Sequence, residues 1–201
     1  MKEILFVAPY RKMYELACSI VAEKGYEDVD VVVGDLEEGR HLAVQSLEGP
    51  TRIIISRGGT YRLIHQSLDV PVVEIRSSIY DTIEALSQVV KEPVPLAIIG
   101  FSNILDGYDL DFLQTILKEK VRRLDLQPGQ DVEEVVRSCA RDGFSTFLGD
   151  AVVQKVCERL NYKCYLQESG YNALLSALEE ARRILRASKQ EIEIVRRLRA
   201  V

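Results

Sequence analysis

The sequence predicts an α/β protein, a tandem duplication of two four-stranded parallel units with helices on both faces, followed by a long C-terminal helix. Three observations lead there. Short β-rich runs alternate with longer helical stripes along the 201-residue chain, the pattern of βαβ units with right-handed crossovers. Some runs, such as Ile4-Leu5-Phe6-Val7-Ala8, are apolar at every position, as a strand buried on both faces requires. A shift of 92 residues lays the second half over the first, placing Ala8 on Gly100, Val29 on Val121, Ile55 on Phe147, Ser77 on Ser169 and Ala85-Leu86 on Ala177-Leu178. Few superposed residues are identical; the order and spacing of the elements is what repeats. A single doubly wound sheet of eight strands is the alternative.

In order, residues 4–8 read as the first strand and 13–24 as the first helix, with Leu16, Ala17, Ile20 and Val21 on one stripe and Gly25 as its stop. A strand over 29–33, a helix over 37–47 and a strand over 52–56 follow. A helix over 61–68, a strand over 72–75 after Pro71, and a longer helix over 79–90 ended by Glu92-Pro93 complete the first unit. The second unit has strands over 96–100, 120–126, 145–148 and 164–166. Helices over 110–117, 132–140 and 152–160 separate them. The expected divisions are 1–93, 94–169 and 170–201. The last is a helix that packs back on the body and leads to a downstream module.

Composition narrows the classes of function. With 47% hydrophobic and 28% charged residues the chain is an ordinary globular protein. A count of 26 Lys plus Arg against 31 Asp plus Glu, net −5, argues against a dedicated nucleic-acid binder. The longest apolar runs fall far short of the ~20 residues of a membrane span. Met1-Lys2-Glu3 runs straight into a strand, so no secretory leader and a cytoplasmic location are expected. Cys18, Cys139, Cys157 and Cys164 form no CxxC pair and read as buried, reduced thiols.

Ligands of open α/β sheets sit beyond the carboxyl ends of the strands. The strongest such segment is Ser56-Arg57-Gly58-Gly59-Thr60, between a strand and a helix. Its glycines let backbone N–H groups approach a ligand, and a helix N-terminus favours negative charge. Ser56 and Thr60 bring hydroxyls, and Arg57 brings a planar fork suited to a carboxylate or phosphate. A tight turn with Thr60 as helix cap and Arg57 in solvent is the plain structural alternative. Other strand ends offer Glu74, Arg76, Ser77, Ser78, Tyr80 and Asp81; then Gly100-Phe101-Ser102-Asn103; then Gly149-Asp150; then Glu168-Ser169-Gly170-Tyr171-Asn172. Several of these residues could equally be turn or cap residues. Their recurrence points to a binding cleft between the two units.

Catalytic and metal motifs are missing. Residues 34–41 imitate the glycine spacing of a P-loop but lack its Lys-Ser/Thr pair, and Glu37 and Glu38 repel phosphate. No GxGxxG, GxSxG or HExxH occurs, and His41 and His65 fall on helical segments without a partner motif. No cofactor or metal is expected, and catalysis is not.

Three stretches, Ile54-Ile55-Ser56-Arg57-Gly58-Gly59-Thr60, Val70-Pro71-Val72-Val73-Glu74-Ile75 and Tyr80-Asp81, carry a family resemblance. Gly100-Phe101-Ser102-Asn103 and Ser169-Gly170, with the helix over 177–181, extend it. Over residues 3–185 the chain resembles the N-terminal receptor domain of propionate-catabolism-type (PrpR-like) regulators, activators of the sigma-54-dependent class. The resemblance implies a chelatase-like pair of α/β units with an effector site between them and a small organic acid, such as 2-methylcitrate, as effector. It also implies, in the full-length protein, an ATP-binding module, DNA binding and engagement of sigma-54 RNA polymerase. The chain departs from the family pattern with Gly149-Asp150 in place of a glycine pair and Gly170-Tyr171-Asn172 in place of an acidic residue. An aspartate beside an anion repels it, so the resemblance speaks to the fold more than to the ligand.

Beyond Gly170 no helix breaker occurs. Leu174, Leu178, Ala181, Leu185, Ser188, Ile192 and Val195 follow a 4-3-4-3-4-3 spacing, the period of a coiled-coil seam. Residues 182–201 hold seven basic and two acidic side chains, leaving −10 on the rest of the chain. This helix reads as a connector and homodimer element, with a frayed end as the alternative. With no Walker motif and no room for a helix-turn-helix, the chain is expected to be either truncated or a stand-alone receptor.

The expected function is therefore a ligand-sensing domain that closes on a small carboxylate and signals through its last helix. Arg57 is expected to pair with the anion, the Gly58, Gly59 and Thr60 amides to cradle it, and Ser56, Ser77, Ser102 and Ser169 to add hydrogen bonds. Gly100, Gly149 and Gly170 let the backbone approach, with Phe101 and Tyr80 as walls. An isomerase- or racemase-like enzyme of two similar units, with cysteines as acid–base groups, is the alternative. A purely structural dimerisation module is a third.

Overall fold

The computed structural model describes residues 2–91, 94–101, 105, 108–127 and 129–199. Among them the elements run β1 (Ile4–Ala8), α1 (Arg11–Lys24), β2 (Val29–Val33), α2 (Leu36–Leu47), β3 (Ile53–Ser56), α3 (Gly58–Ser67), β4 (Val72–Glu74) and α4 (Ile79–Val89). Then come β5 (Leu96–Gly100), α5 (Leu110–Leu117), β6 (Val121–Asp125), α6 (Val132–Arg141), β7 (Thr146–Gly149), α7 (Ala151–Arg159), β8 (Lys163–Leu166) and α8 (Tyr171–Arg199). The strands form two all-parallel sheets of the same order, β2-β1-β3-β4 and β6-β5-β7-β8. The single eight-stranded sheet is thereby excluded.

The 92-residue repeat holds for the first two strands of each sheet, where Ile4 faces Val29 and Leu96 faces Val121. It slips by one residue at the third strand, because Ile4 faces Ile53 but Leu96 faces Thr146. Each central strand divides its side chains between two layers, as the period of two dictates. Ile4, Phe6 and Ala8 join Ile53 and Ile55 under α1. Leu5 and Val7 join Ile54 against Ala43 of α2 and Ile64 of α3. In the second sheet Leu96 and Ile98 pack with α4 and α5, and Ala97 and Ile99 with α6 and α7.

Packing separates two units, Met1–Ile75 with Tyr171–Val201, and Arg76–Gly170. This corrects the expected boundary at residue 93. Ala85 and Val89 of α4 are buried among Leu96, Ile98, Leu113 and Leu148, so the helix that follows β4 belongs to the second sheet. The helix that follows β8 belongs to the first: Ala173, Leu174, Ala177, Leu178, Ala181 and Leu185 of α8 lie in one core with Phe6, Ile20 and Ile55. The last helix of each unit in sequence thus covers the other unit's sheet.

Polar contacts fix α8 where its apolar stripe ends. Arg182 Nε donates to both oxygens of Asp28, at 3.0 and 2.9 Å, with its guanidinium 4.1 Å from the centre of the Tyr26 ring. Lys189 reaches Glu3 at 2.6 Å. From residue 186 to 198 every residue is exposed, Ile192, Ile194, Val195 and Leu198 among them. No helix among the described residues is long and apolar enough to cross a membrane.

Two substitutions separate the parts of α8. Leu178→Ala opens a cavity in a core position and is expected to cost about 2–5 kcal/mol of unfolding free energy in urea. Ile192→Ala, on the exposed stretch, is expected to change it by no more than about 0.5 kcal/mol.

Candidate functional site

The strand ends of the first unit are built around the β3–α3 turn. Gly58 sits at φ +58°, in the left-handed region, and so turns the chain from strand directly into helix. The helix therefore starts at Gly58, three residues earlier than its periodicity suggests, and Gly58, Gly59 and Thr60 form its first turn. Arg57 is the N-cap and provides no side-chain cap to those amides. Its side chain is only 3% exposed, and Nη1 donates to the Tyr10 hydroxyl at 3.3 Å. Tyr10 stands at the N-cap of α1, just after β1, so residues following two adjacent strands meet here.

The neighbouring hydroxyls have structural partners. Ser56 Oγ donates to the Val7 carbonyl at 3.0 Å and ties β3 to β1. Thr60 Oγ1 accepts from the Leu36 amide at 2.8 Å, so it does not cap its own helix but holds the start of α2. Gly39 makes that approach possible: a Cβ there would meet Thr60 Cγ2 at 2.6 Å and the Gly34 carbonyl at 2.8 Å. Of the five residues Ser56 to Thr60, Arg57 and the first-turn amides of α3 are the groups suited to an anion.

In the second unit the organising residue is Asp81, 7% exposed. One carboxylate oxygen accepts from the Ser78 amide at 2.6 Å, while Ser78 Oγ accepts from the Asp81 amide at 3.2 Å, a capping box at the start of α4. The other oxygen accepts from the Gly170 amide at 2.8 Å. The chain passes from one unit to the other at Ile75–Arg76 and at Gly170–Tyr171, so this carboxylate ties together the second-unit ends of both connections. Ser77 Oγ, next to the cap, is buried with no hydrogen-bond partner among the described residues. Ser169 is 4% exposed, whereas Tyr80 is 71% exposed on the first turn of α4.

Gly100 closes β5 and accepts from the Leu126 amide at 2.8 Å; half-buried Phe101 packs against the core layer of Ala97 and Ile99. Gly149 is a point of close approach, where a Cβ would meet the Ile99 carbonyl and Val153 Cβ at 2.7 Å. Asp150 is the N-cap of α7, its Oδ1 accepting from the Val152 and Val153 amides at 3.0 Å. Ser102 lies outside the described residues. The structure adds three residues that the sequence reading passed over: Tyr10, Tyr108 and Gln167. Gln167 is 1% exposed and accepts a hydrogen bond from the hydroxyl of Tyr108, itself 2% exposed. Its backbone amide donates to the Gly149 carbonyl at 2.7 Å. Each of Tyr10 and Gln167 stands within two residues of a strand's carboxyl end, and that position was the available signal.

Among the described residues no group of three or more His, Cys, Asp or Glu gathers to hold a metal. His65 stacks on the Tyr61 ring at 5.5 Å along the same helix. All four cysteines are free, with Cys139 and Cys157 buried. Burial pushes the Cys139 thiol above its ordinary range. A hydrogen bond with Cys157, together with burial, does the same to Cys164.

This fold is similar to that of a solved regulator. The NtrC family transcriptional regulator from Clostridium acetobutylicum aligns with a TM-score of 0.82 over 93% of this chain and 98% of its own, at 18% identity, a likeness of fold. The family described as propionate catabolism activator matches residues 23–191 through its N-terminal domain, and the chain belongs to that family of regulatory domains. A periplasmic binding ribose operon repressor protein from Lactobacillus acidophilus aligns at a TM-score of 0.38, with 13% identity over 80% of this chain and 72% of its own. Glutamate racemase from Aquifex pyrophilus aligns at 0.33, with 14% identity over 90% and 83%. Scores this low carry no argument about function. No curated protein sequence matches the chain.

Asp81→Asn keeps the shape of the side chain but weakens its charge-assisted bonds. Amide hydrogen exchange is expected to quicken at both Ser78 and Gly170, with about 1–3 kcal/mol lost in global stability. Since raised thiol pKa values leave the neutral form dominant, Cys139 and Cys164 are expected to resist iodoacetamide at neutral pH in the native protein and to react once urea unfolds it.

Proposed function

We propose that this chain is the effector-sensing domain of a sigma-54-dependent transcriptional activator, taking a small organic acid at the carboxyl ends of its strands and signalling through α8. The observation that carries the proposal is Arg57, a residue 3% exposed at a helix N-terminus where its own side chain makes no cap hydrogen bond. The planar fork of a guanidinium at that position suits a carboxylate in particular. The first-turn amides of α3 and the positive end of its dipole add to the attraction. They act against a body that carries −10 outside residues 182–201. Of the other positions expected from the sequence, Ser77, Tyr80, Gly100, Phe101, Gly149, Ser169 and Gly170 stand at strand ends or helix starts of the second unit, and Ser102 lies outside the described residues.

In this reading the effector shifts the output only as far as it binds one conformation better than another. The exposed length of α8 carries the change to a downstream ATPase module and pairs with its counterpart in a homodimer; the whole regulator engages DNA and sigma-54 RNA polymerase. A receptor of this kind performs no chemistry of its own. Family membership supports that role, and the raised thiol pKa values count against cysteines as acid–base groups of an isomerase or racemase.

Calorimetric titration of short carboxylic acids, 2-methylcitrate and propionate among them, into wild type and Arg57→Ala tests the proposal. Loss of a charge-assisted pair is expected to weaken binding about 10- to 100-fold. Equal affinities in the two proteins would remove Arg57 from the site.

A further inference from the structure

The first unit carries a second group of cations, remote in sequence from Arg57. Tyr26, just past the end of α1, and Ser176, Glu179, Arg182, Arg183 and Arg186 of α8 line a surface cavity of about 410 Å³. Glu179, Arg182, Arg183 and Arg186 share one face of the helix, because side chains three and four apart are neighbours. Asp28, at 2.9 Å, and the Tyr26 ring, 4.1 Å from the guanidinium, hold Arg182 in place before anything binds. Arg183 and Arg186 are exposed. Arg186 Nε donates to the Arg182 carbonyl at 3.3 Å, and no ion pair engages Arg183 or Arg186 among the described residues. Further along α8, by contrast, Lys189 and Arg197 each pair with a glutamate.

Three guanidiniums around one cavity favour an anion with several oxygens and more than one charge. A phosphate ester presents three terminal oxygens and about two negative charges at neutral pH, and the guanidinium fork matches its geometry. Glu179 on the same rim repels any anion, and a singly charged carboxylate has fewer contacts with which to offset that. The cavity falls within the range of about 300–1,000 Å³ typical of small-molecule sites, which leaves room for an organic body beside the phosphate. A long polyanion is disfavoured, because the chain outside residues 182–201 carries −10 and a compact ligand meets less of that field. We propose that Arg182, Arg183 and Arg186, with the Ser176 hydroxyl as a further donor, form a binding site for the phosphate monoester of a small alcohol. Leu185 is the last buried position of α8 among the described residues, so the site straddles the point where the helix leaves the core. A phosphate bound there ties the first exposed turn to the anchored part of the helix. The proposal does not depend on the role of Arg57.

Calorimetric titration of glycerol 3-phosphate and glucose 6-phosphate into the whole chain tests the site, with glycerol, lactate and a duplex oligonucleotide as counterparts. The two phosphates are expected to bind wild type. The double variant Arg183→Gln, Arg186→Gln, altered only at exposed positions, is expected to bind them about 10- to 100-fold more weakly. Glu179→Gln is expected to tighten them, since it removes a repelling carboxylate. Arg57→Ala is expected to leave their affinity unchanged, and amide hydrogen exchange over residues 186–190 is expected to slow with glycerol 3-phosphate bound. Failure of both phosphates to bind at millimolar concentration, or equal affinity in wild type and the double variant, overturns the site. So does loss of phosphate binding in Arg57→Ala with none in the double variant, which moves the phosphate to the β3–α3 turn. Tighter binding of the oligonucleotide or of lactate than of either phosphate overturns the choice of ligand.

Discussion

A parallel sheet cannot leave either face in water, because its strands are apolar on both. In this chain that demand is met across the units of sequence. The first sheet gains α1 on one face and α2 with α3 on the other from its own segment, but the helix after β4 is buried elsewhere. Its α1 face is completed by α8, whose Leu174, Leu178 and Leu185 enter the same core as Phe6 and Ile55. The position of every other group follows from this exchange. The Ser78 and Gly170 amides meet at one carboxylate, that of Asp81, in a unit where α4 packs beside β8.

The candidate site takes its rigidity from the same source. Ser56 and Thr60 look like ligand groups but hold strand to strand and helix to helix, keeping the β3–α3 turn in one shape. Arg57 is consequently presented by a turn whose left-handed glycine and close helix packing allow little movement. Such preorganisation matters for a sensor, since order already present in the free protein need not be imposed by the ligand.

Much of the fold was legible in sequence, and the reason is the burial just described. Strands apolar at every position and helices with a single stripe declared themselves, and the 92-residue repeat pointed to two four-stranded units. Ownership of the helices was not legible. Whether Ala85 and Val89 cover the sheet before them or the one after is decided by tertiary packing, and the stripe is the same in both cases. Within the site, Arg57 and its glycines could be found from the strand-to-helix turn. The role of Asp81 could not, because its partner Gly170 is 89 residues away. Gln167 escapes by one position: the charged and small residues after β8 begin at Glu168, and burial of an amide leaves no mark in the sequence.

The exchange of helices also orders the birth of the molecule. Residues 76–170 are continuous and contain everything their own core requires, so that unit is able to fold as soon as it leaves the ribosome. The first unit is translated earlier yet stays incomplete, one face of its sheet only partly covered by α1, until residues 171–185 emerge. The N-terminal strands must therefore wait through the synthesis of a whole intervening domain, with apolar surface exposed and a long loop still to close. The surface at risk in that interval is the part of the α1 face that Leu174, Leu178 and Leu185 later cover.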